Sequence, residues 1–271
     1  MSELLRHPSV KDSDGRHQHV TPENAGWRYV GFDAYDLEAG EQLGFDSGGD
    51  EICLVLLSGK ATVVAGDEQF TEIGERMSVF EDTPPYSVYA PNDCEVAVTA
   101  LSALELAVCR APGRGSHPPR LIVPEQVGYE VRGEGSNTRH IYNILPDTEP
   151  ADSLLVVEVK TPSGNWSSYP PHKHDSDDLP NQSYLEETYY HRIDPPQGFA
   201  FQRVYTDDGE LDEAMALRDR DLVLVPRGYH PYGAPHGYTG YYLNVMAGPK
   251  RIWRFHNDPA HAWVLKQHAN D

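Results

Sequence analysis

Short runs in which apolar and polar residues alternate recur along the chain from Trp27 onward. WRYVGFDAYDL, EICLVLLSG, KATVVAG, MSVFE and YSVYAP come first, followed by the longer CEVAVTALSALELAVCRA. An alternation of period two marks a strand with one buried face. APGRGSHPPR, at 111–120, is rich in Pro and Gly and reads as a linker. Beyond it, HIYNIL, LLVVEVK, LEETYYHRI, FAFQRVY, AMAL, DLVLVP, GYYLNVMAG and RIWRFH resume the strand-like pattern. Helical periodicity is scarce throughout. Many short strands at regular spacing predict an all-β protein, an antiparallel sandwich or barrel. The stretches on either side of the linker also repeat one plan. EICLVLLSGKATVV has the form strand, tight turn, strand, and ETYYHRIDPPQGFAFQRVY has the same form with a longer turn. The expectation is therefore a duplication, with one domain over residues 1–115 and a second over 116–271. The first two dozen residues are polar and read as a loose arm, with His17 and His19 on its surface.

Composition adjusts this picture in three ways. The 23 Gly and 22 Pro supply the turns that many short strands need. A formal net charge of −20 repels phosphate backbones, which excludes nucleic acid as a partner class. The three cysteines, Cys53, Cys94 and Cys109, are odd in number and lack CxxC spacing, which fits small core residues in a reducing compartment. No apolar run is long enough to suggest a signal peptide or a membrane span, so the expected location is the cytoplasm.

The candidate chemistry lies in the second half. Eight of the 13 histidines follow residue 171, and two form the pair His172 and His174 in PPHKHD. On a strand, residues i and i+2 share a face, so two imidazoles can converge on one ion. LEETYYHR places Glu187, Tyr189 and His191 on one face of the next strand, and DLVLVPRGYH carries a Pro-Arg-Gly turn into His230.

These elements resemble the two motifs of the cupin superfamily, which would fall here on Gly164, His172, His174, Glu187 and Gly198, then Pro226, Gly228 and His230. The resemblance implies a bicupin of two tandem jelly-roll barrels, with one divalent metal held by His172, His174, Glu187 and His230. Two spacings depart from the pattern. Twelve residues separate His174 from Glu187, which makes Asp178 a rival ligand, and His230 falls one residue early, which leaves His236 as a substitute. Glu187 is preferred because it opens an alternating run, whereas Asp178 sits among loop polars before Pro180. The first half has Glu51 and Gly59 but no HxH pair, and PPYSVYAPND has no histidine. It reads as a cupin barrel without a metal.

The segments SSYPPHKHD, the long stretch from LEETYYHRI to YGAPHGY, and YYLNVMAGPKRIWRFHNDPAHAW resemble more specifically the 5-deoxy-glucuronate isomerase family of myo-inositol catabolism. The opening HVTPENAGWRYVGFDAYDL resembles it too. The related 4-deoxy-5-threo-hexosulose-uronate ketol-isomerases of pectin breakdown share the fold and the metal site. Membership implies an aldose–ketose isomerisation of a small sugar acid, with zinc the expected ion and Mn, Fe, Co or Ni compatible with the ligands. Such a reaction needs a Lewis acid for an enediolate and a group that moves a proton between carbons. His191 and Glu186 are the candidate bases, with Tyr189 and Tyr242 as acids or hydrogen-bond donors. Arg203, Arg227, Arg192 and Lys173 are the candidate cations for the substrate carboxylate. His256 and His261 read as packing residues. An Fe(II) dioxygenase and a non-catalytic sugar-acid-binding cupin remain open alternatives, and pairing of copies into a homo-oligomer is the general expectation for such folds.

Overall fold

The computed structural model describes residues 2–267 and is almost entirely β. Four antiparallel sheets account for most of it. In the first half, a six-stranded sheet runs in the order Arg120–Ile122, Ser87–Ala90, Asp50–Ser58, Leu104–Pro112, Gly31–Leu37 and Arg16–Val20. It faces a four-stranded sheet of Gln42–Asp46, Glu95–Ala100, Ala61–Ala65 and Glu68–Ile73. In the second half, a seven-stranded sheet runs Leu5–Arg6, Leu222–Val225, Glu186–Asp194, Thr239–Ala247, Leu155–Thr161, Arg139–Leu145 and Gly128–Arg132. Its partner contains Trp166–Ser167, Tyr232–Gly233, Ala200–Tyr205 and Asp212–Leu217. Each pair of sheets closes over its own apolar interior, giving the two tandem barrels expected from the duplication.

The two large sheets pack back to back, and this explains the texture of their sequences. In Asp50–Ser58, Ile52, Leu54 and Leu56 point into the first barrel, while Cys53, Val55 and Leu57 point into a core shared by both halves. In Thr239–Ala247, Tyr242 and Met246 line the second barrel, while Tyr241, Leu243 and Val245 enter the shared core. A strand buried on both faces reads as a continuous apolar run. Strands of the small sheets alternate cleanly, as in Glu95–Ala100, where Val96, Val98 and Ala100 are buried and Glu95 and Ala97 exposed. Two short strands cross a division at 115/116. Leu5–Arg6 extends the second barrel's sheet along Leu222–Val225, and Arg120–Ile122 extends the first barrel's sheet along Ser87–Ala90.

Four sequence expectations change. MSVFE is not a strand, because Met77 N–H donates to Glu81 and Phe80 N–H donates to Ser78 Oγ, local bonds that hold turns instead of a ladder. The long run after Cys94 divides into Glu95–Ala100 and Leu104–Pro112. RIWRFH is mostly irregular, and Arg251 there donates to the backbone carbonyls of Leu154, Glu149 and Pro146. The polar N-terminal stretch is ordered rather than a loose arm. Arg16–Val20 pairs with Gly31–Leu37, and His17 is buried, which lowers its pKa to about 4. No described helix is long and apolar enough to cross a membrane.

One buried ion pair crosses the shared core. The Arg76 guanidinium donates to both oxygens of Glu158 at 2.8 Å, to Leu57 O, and stands beside Tyr241, whose hydroxyl also donates to Glu158. Removing one partner leaves an uncompensated buried charge. Arg76→Met is therefore expected to lower unfolding free energy by about 3–5 kcal/mol, measured by urea titration. Adding Glu158→Leu should recover part of that loss, and a double variant as weak as the single would contradict the charge argument.

Candidate active site

The interiors of the two barrels differ in kind. The first is filled by aliphatic side chains such as Leu54, Val63, Val88, Val98 and Leu106. The second admits histidine, tyrosine and glutamate, and three imidazoles meet there.

His172 and His174 flank Lys173 where the short strand His172–Lys173 pairs with His256–Asn257. Glu187 is supplied by the strand Glu186–Asp194, which is bonded on both sides, to Leu222–Val225 and Thr239–Ala247. His230 follows the turn at Gly228. That glycine has φ +93°, and a Cβ there would lie 2.4 Å from Tyr205 O, so only glycine fits. The turn orients the ligand directly, since His230 Nδ1–H donates to Gly228 O at 2.8 Å. Likewise His174 Nδ1–H donates to Leu185 O at 3.0 Å. With Nδ1 committed to a carbonyl, Nε2 of each ring carries the lone pair and faces the centre.

Donor atoms of His172, His174 and His230 all lie within 4.8 Å of one another. Glu187 Oε2 stands 3.0 Å from His174 Nε2 and 3.2 Å from His230 Nε2. The second contact lacks hydrogen-bond geometry, so His230 Nε2 is a buried nitrogen without a bonded partner. Burial, then the neighbouring imidazoles His230 and His174, holds His172 far below its ordinary pKa, and burial lowers His230 to about 4. Burial acts the same way on His174, but the Glu187 carboxylate outweighs it and raises that group. Imidazoles aimed at a common point beside a carboxylate, two of them held neutral by burial, suit a divalent cation. The triad can hold a metal ion.

His174 and His230 are buried, whereas His172 is only partly so and packs on the exposed Phe255 at 4.6 Å between ring centres. The open side of the centre is therefore at His172. Below it, the inner faces of Glu186–Asp194 and Thr239–Ala247 bring Tyr189, His191 and Tyr242 together. The Tyr189 ring lies 5.7 Å from His230 and 4.8 Å from Tyr242, and the two phenols are bonded to Ser168 and Ser167. Burial raises both phenols, so they are protonated donors at neutral pH. His191 lies deeper, stacked between Tyr189 and Tyr232, with Nε2 bonded to Gln202 Oε1 at 3.1 Å. Burial lowers its pKa to about 3, which makes it a poor proton acceptor at neutral pH.

Several expected site residues are not brought here. Glu186 has the opposite parity on its strand, and its carboxylate accepts from the backbone amides of Arg28, Tyr29 and Val30. Lys173 alternates away from its flanking histidines to Asp175 and Asp207. Arg192 is bound by Glu105 and Asp219, Arg203 is held by both oxygens of Asp212, and Arg227 lies in solvent beside Glu210. All four cations are thus neutralised by their own carboxylates, outside the barrel interior. Asp178 is exposed and bonded to Asn181, and His236 is exposed on a turn. His256 is likewise exposed. The sequence reading overlooked Tyr232, Gln202 and the pair Ser167 and Ser168. Tyr232 stands two residues after His230, so strand alternation alone could have placed it on the same face.

Comparison with known proteins finds relatives over nearly the whole chain. Residues 4–264 match the model of the KduI/IolB family. The chain is 57% identical to a 5-deoxy-glucuronate isomerase of Geobacillus kaustophilus, covering 98% of this chain and 96% of the relative. It is 52% identical to the enzyme of the same name from Bacillus subtilis strain 168, covering 98% and 100%. A crystal structure of an IolB-like protein from Salmonella typhimurium superposes with a TM-score of 0.94 at 56% identity, over 97% of this chain and 99% of that one. An oxalate decarboxylase of Lactobacillus farciminis shares the fold, with a TM-score of 0.68 at 13% identity over 100% and 94% of the two chains. With its double-barrel fold and its His172, His174 and His230 triad, the chain belongs to the KduI/IolB family.

Proposed function

We propose that this protein is a metal-dependent aldose–ketose isomerase that converts 5-deoxy-glucuronate to 5-dehydro-2-deoxy-gluconate in the cytoplasm. The observation that carries the reading is the convergence of three histidines and Glu187 inside one barrel, in a chain alike over nearly its full length to isomerases of that name. Glu187 is the fourth ligand, and zinc is an ion that three imidazoles and one carboxylate suit. A divalent ion there supplies a Lewis acid for a carbonyl and its neighbouring hydroxyl.

The chain's own residues around that ion take further parts. Tyr242 donates to Ser167, whereas the bond between Tyr189 and Ser168 can run either way, so Tyr189 is the phenol free to donate to the oxygen on which negative charge develops. His191, with Gln202 and Tyr232, holds these rings in place as a positioning residue. Val157, Val159 and Ile141 belong to the apolar core of the same barrel.

The direct test follows 5-deoxy-glucuronate by NMR in deuterated water, using protein whose metal content has been measured. Conversion to the ketose without oxygen consumption is expected. Failure of metal-replete protein to convert it would remove the reading, and oxygen uptake would point to dioxygenase chemistry instead.

A further inference from the structure

An isomerase acting on a sugar acid must also hold the carboxylate at the end of the chain remote from the reacting carbonyl. The four cations read from the sequence are spent elsewhere, but two other arginines lie along one edge of the second barrel's large sheet, both only partly buried. Arg139 and Arg132 lie directly opposite each other where Arg139–Leu145 pairs with Gly128–Arg132. Strand alternation puts Arg139 on the face of Ile141, which lines the second barrel.

Like charges directly opposed across a strand pair are destabilising, and these two share one carboxylate, Glu130. Arg132 Nη2 donates to Glu130 Oε1 at 2.7 Å. Arg139 donates from Nη1 to Asn137 O at 3.0 Å, and the Glu130 carboxylate that Arg132 contacts also acts on Arg139 through space. Burial lowers its pKa, with Arg132 adding to the effect and Glu130 opposing it, so its charge is partly desolvated and the two arginines together keep net positive charge. Strand register carries the same face on to the centre, since Ile141 lies opposite Val159 and Val159 opposite Tyr242. A path of rings joins the pair to the open side of the centre. The Arg132 guanidinium stands 5.9 Å from the Trp253 ring, which is 6.3 Å from Phe255, itself on His172.

We propose that Arg139, with Arg132 at its side, is the subsite for the substrate carboxylate and sets the preference for sugar acids over neutral sugars. This rests on the isomerase reading and names which end of the substrate meets which wall of the barrel. A planar guanidinium that donates to both carboxylate oxygens would regain the solvation it has lost.

The test compares wild type with Arg139→Ala, Arg139→Lys and Arg132→Gln for steady-state kinetics on 5-deoxy-glucuronate, metal content and melting temperature. Arg139→Ala is expected to lose about 10²-fold in kcat/KM, mostly through KM, with metal content unchanged. Millimolar guanidinium ion should restore part of that loss. Arg139→Lys should retain an intermediate activity, and Arg132→Gln should show a smaller rise in KM. A purely structural role would lower melting temperature and metal content with activity, without guanidinium rescue, and would overturn the proposal. So would unchanged KM in both Arg139 variants. Should Arg139→Ala not fold, the Lys variant and Arg132→Gln decide on the same criteria. Wild-type protein inert toward the acid would instead overturn the isomerase reading, and the subsite with it.

Discussion

Combining His172→Ala with Glu187→Gln is expected to reduce bound metal to background in purified protein while leaving the far-UV spectrum unchanged. The four groups act as one unit, so losing an imidazole and the carboxylate leaves two neutral imidazoles, too few to hold an ion in a defined geometry. The fold should tolerate the change. Glu187 sits in a strand bonded on both sides, and its side chain contacts His174 and His230 and no backbone amide. His172 is partly open to solvent at the mouth of the centre. Isomerase activity should fall by at least about 10³-fold, because Lewis-acid stabilisation of several kcal/mol is lost together with orientation of the substrate. Asp178→Ala and His236→Ala are the controls, and both should keep full metal content, since both side chains are exposed and away from the triad. Stoichiometric metal surviving in the double variant, measured by elemental analysis, would refute this ligand set.

That centre was legible in the sequence to an uneven degree. The HxH pair is visible because alternation acts over two residues, and Gly228 is visible because its turn tolerates no other residue. Glu187 was reachable despite the twelve intervening residues because it opens a run whose odd positions continue inward as Tyr189 and His191. The same alternation sets Glu186 on the opposite face from Glu187. Cations were the least legible. Whether an arginine is available depends on which carboxylate stands across from it, and those pairings come from strand register and hairpin closure. Arg203 meets Asp212 only because Ala200–Tyr205 pairs with Asp212–Leu217, and Arg139 meets Arg132 by the same mechanism in another hairpin. The fold itself was clear at the level of strands. The back-to-back packing was encoded more quietly, in the difference between EICLVLLS, buried on both faces, and EVAVTA, buried on one.

Glu186→Ala is expected to destabilise the protein by about 3–6 kcal/mol, as an intersheet clamp would and a catalytic base would not. Its carboxylate accepts three successive amides, Arg28, Tyr29 and Val30, at 2.7–3.2 Å, just before the strand Gly31–Leu37 of the first barrel. The arrangement is reciprocal. Glu51, near the start of the equivalent central strand of the first barrel, accepts from Asp152, Ser153 and Leu154 just before Leu155–Thr161 of the second. The Tyr89 hydroxyl adds a fourth bond to Glu51 at 2.6 Å. Each barrel thus fixes the backbone that enters the other, and deleting either side chain strands several amide donors at a cost of about 1–3 kcal/mol each. Glu186→Gln should be milder, because the amide oxygen still accepts while the NH2 group opposes one donor. Denaturant midpoints should therefore fall in the order wild type, Gln, Ala, and Glu51→Ala should resemble Glu186→Ala. The folded fraction of Glu186→Gln should keep its metal and a kcat within a few-fold of wild type. A base variant would behave in the reverse way, with normal stability and a kcat lowered by about 10²–10⁴. The two measurements together separate a residue that holds the barrels in register from one that handles the substrate's proton.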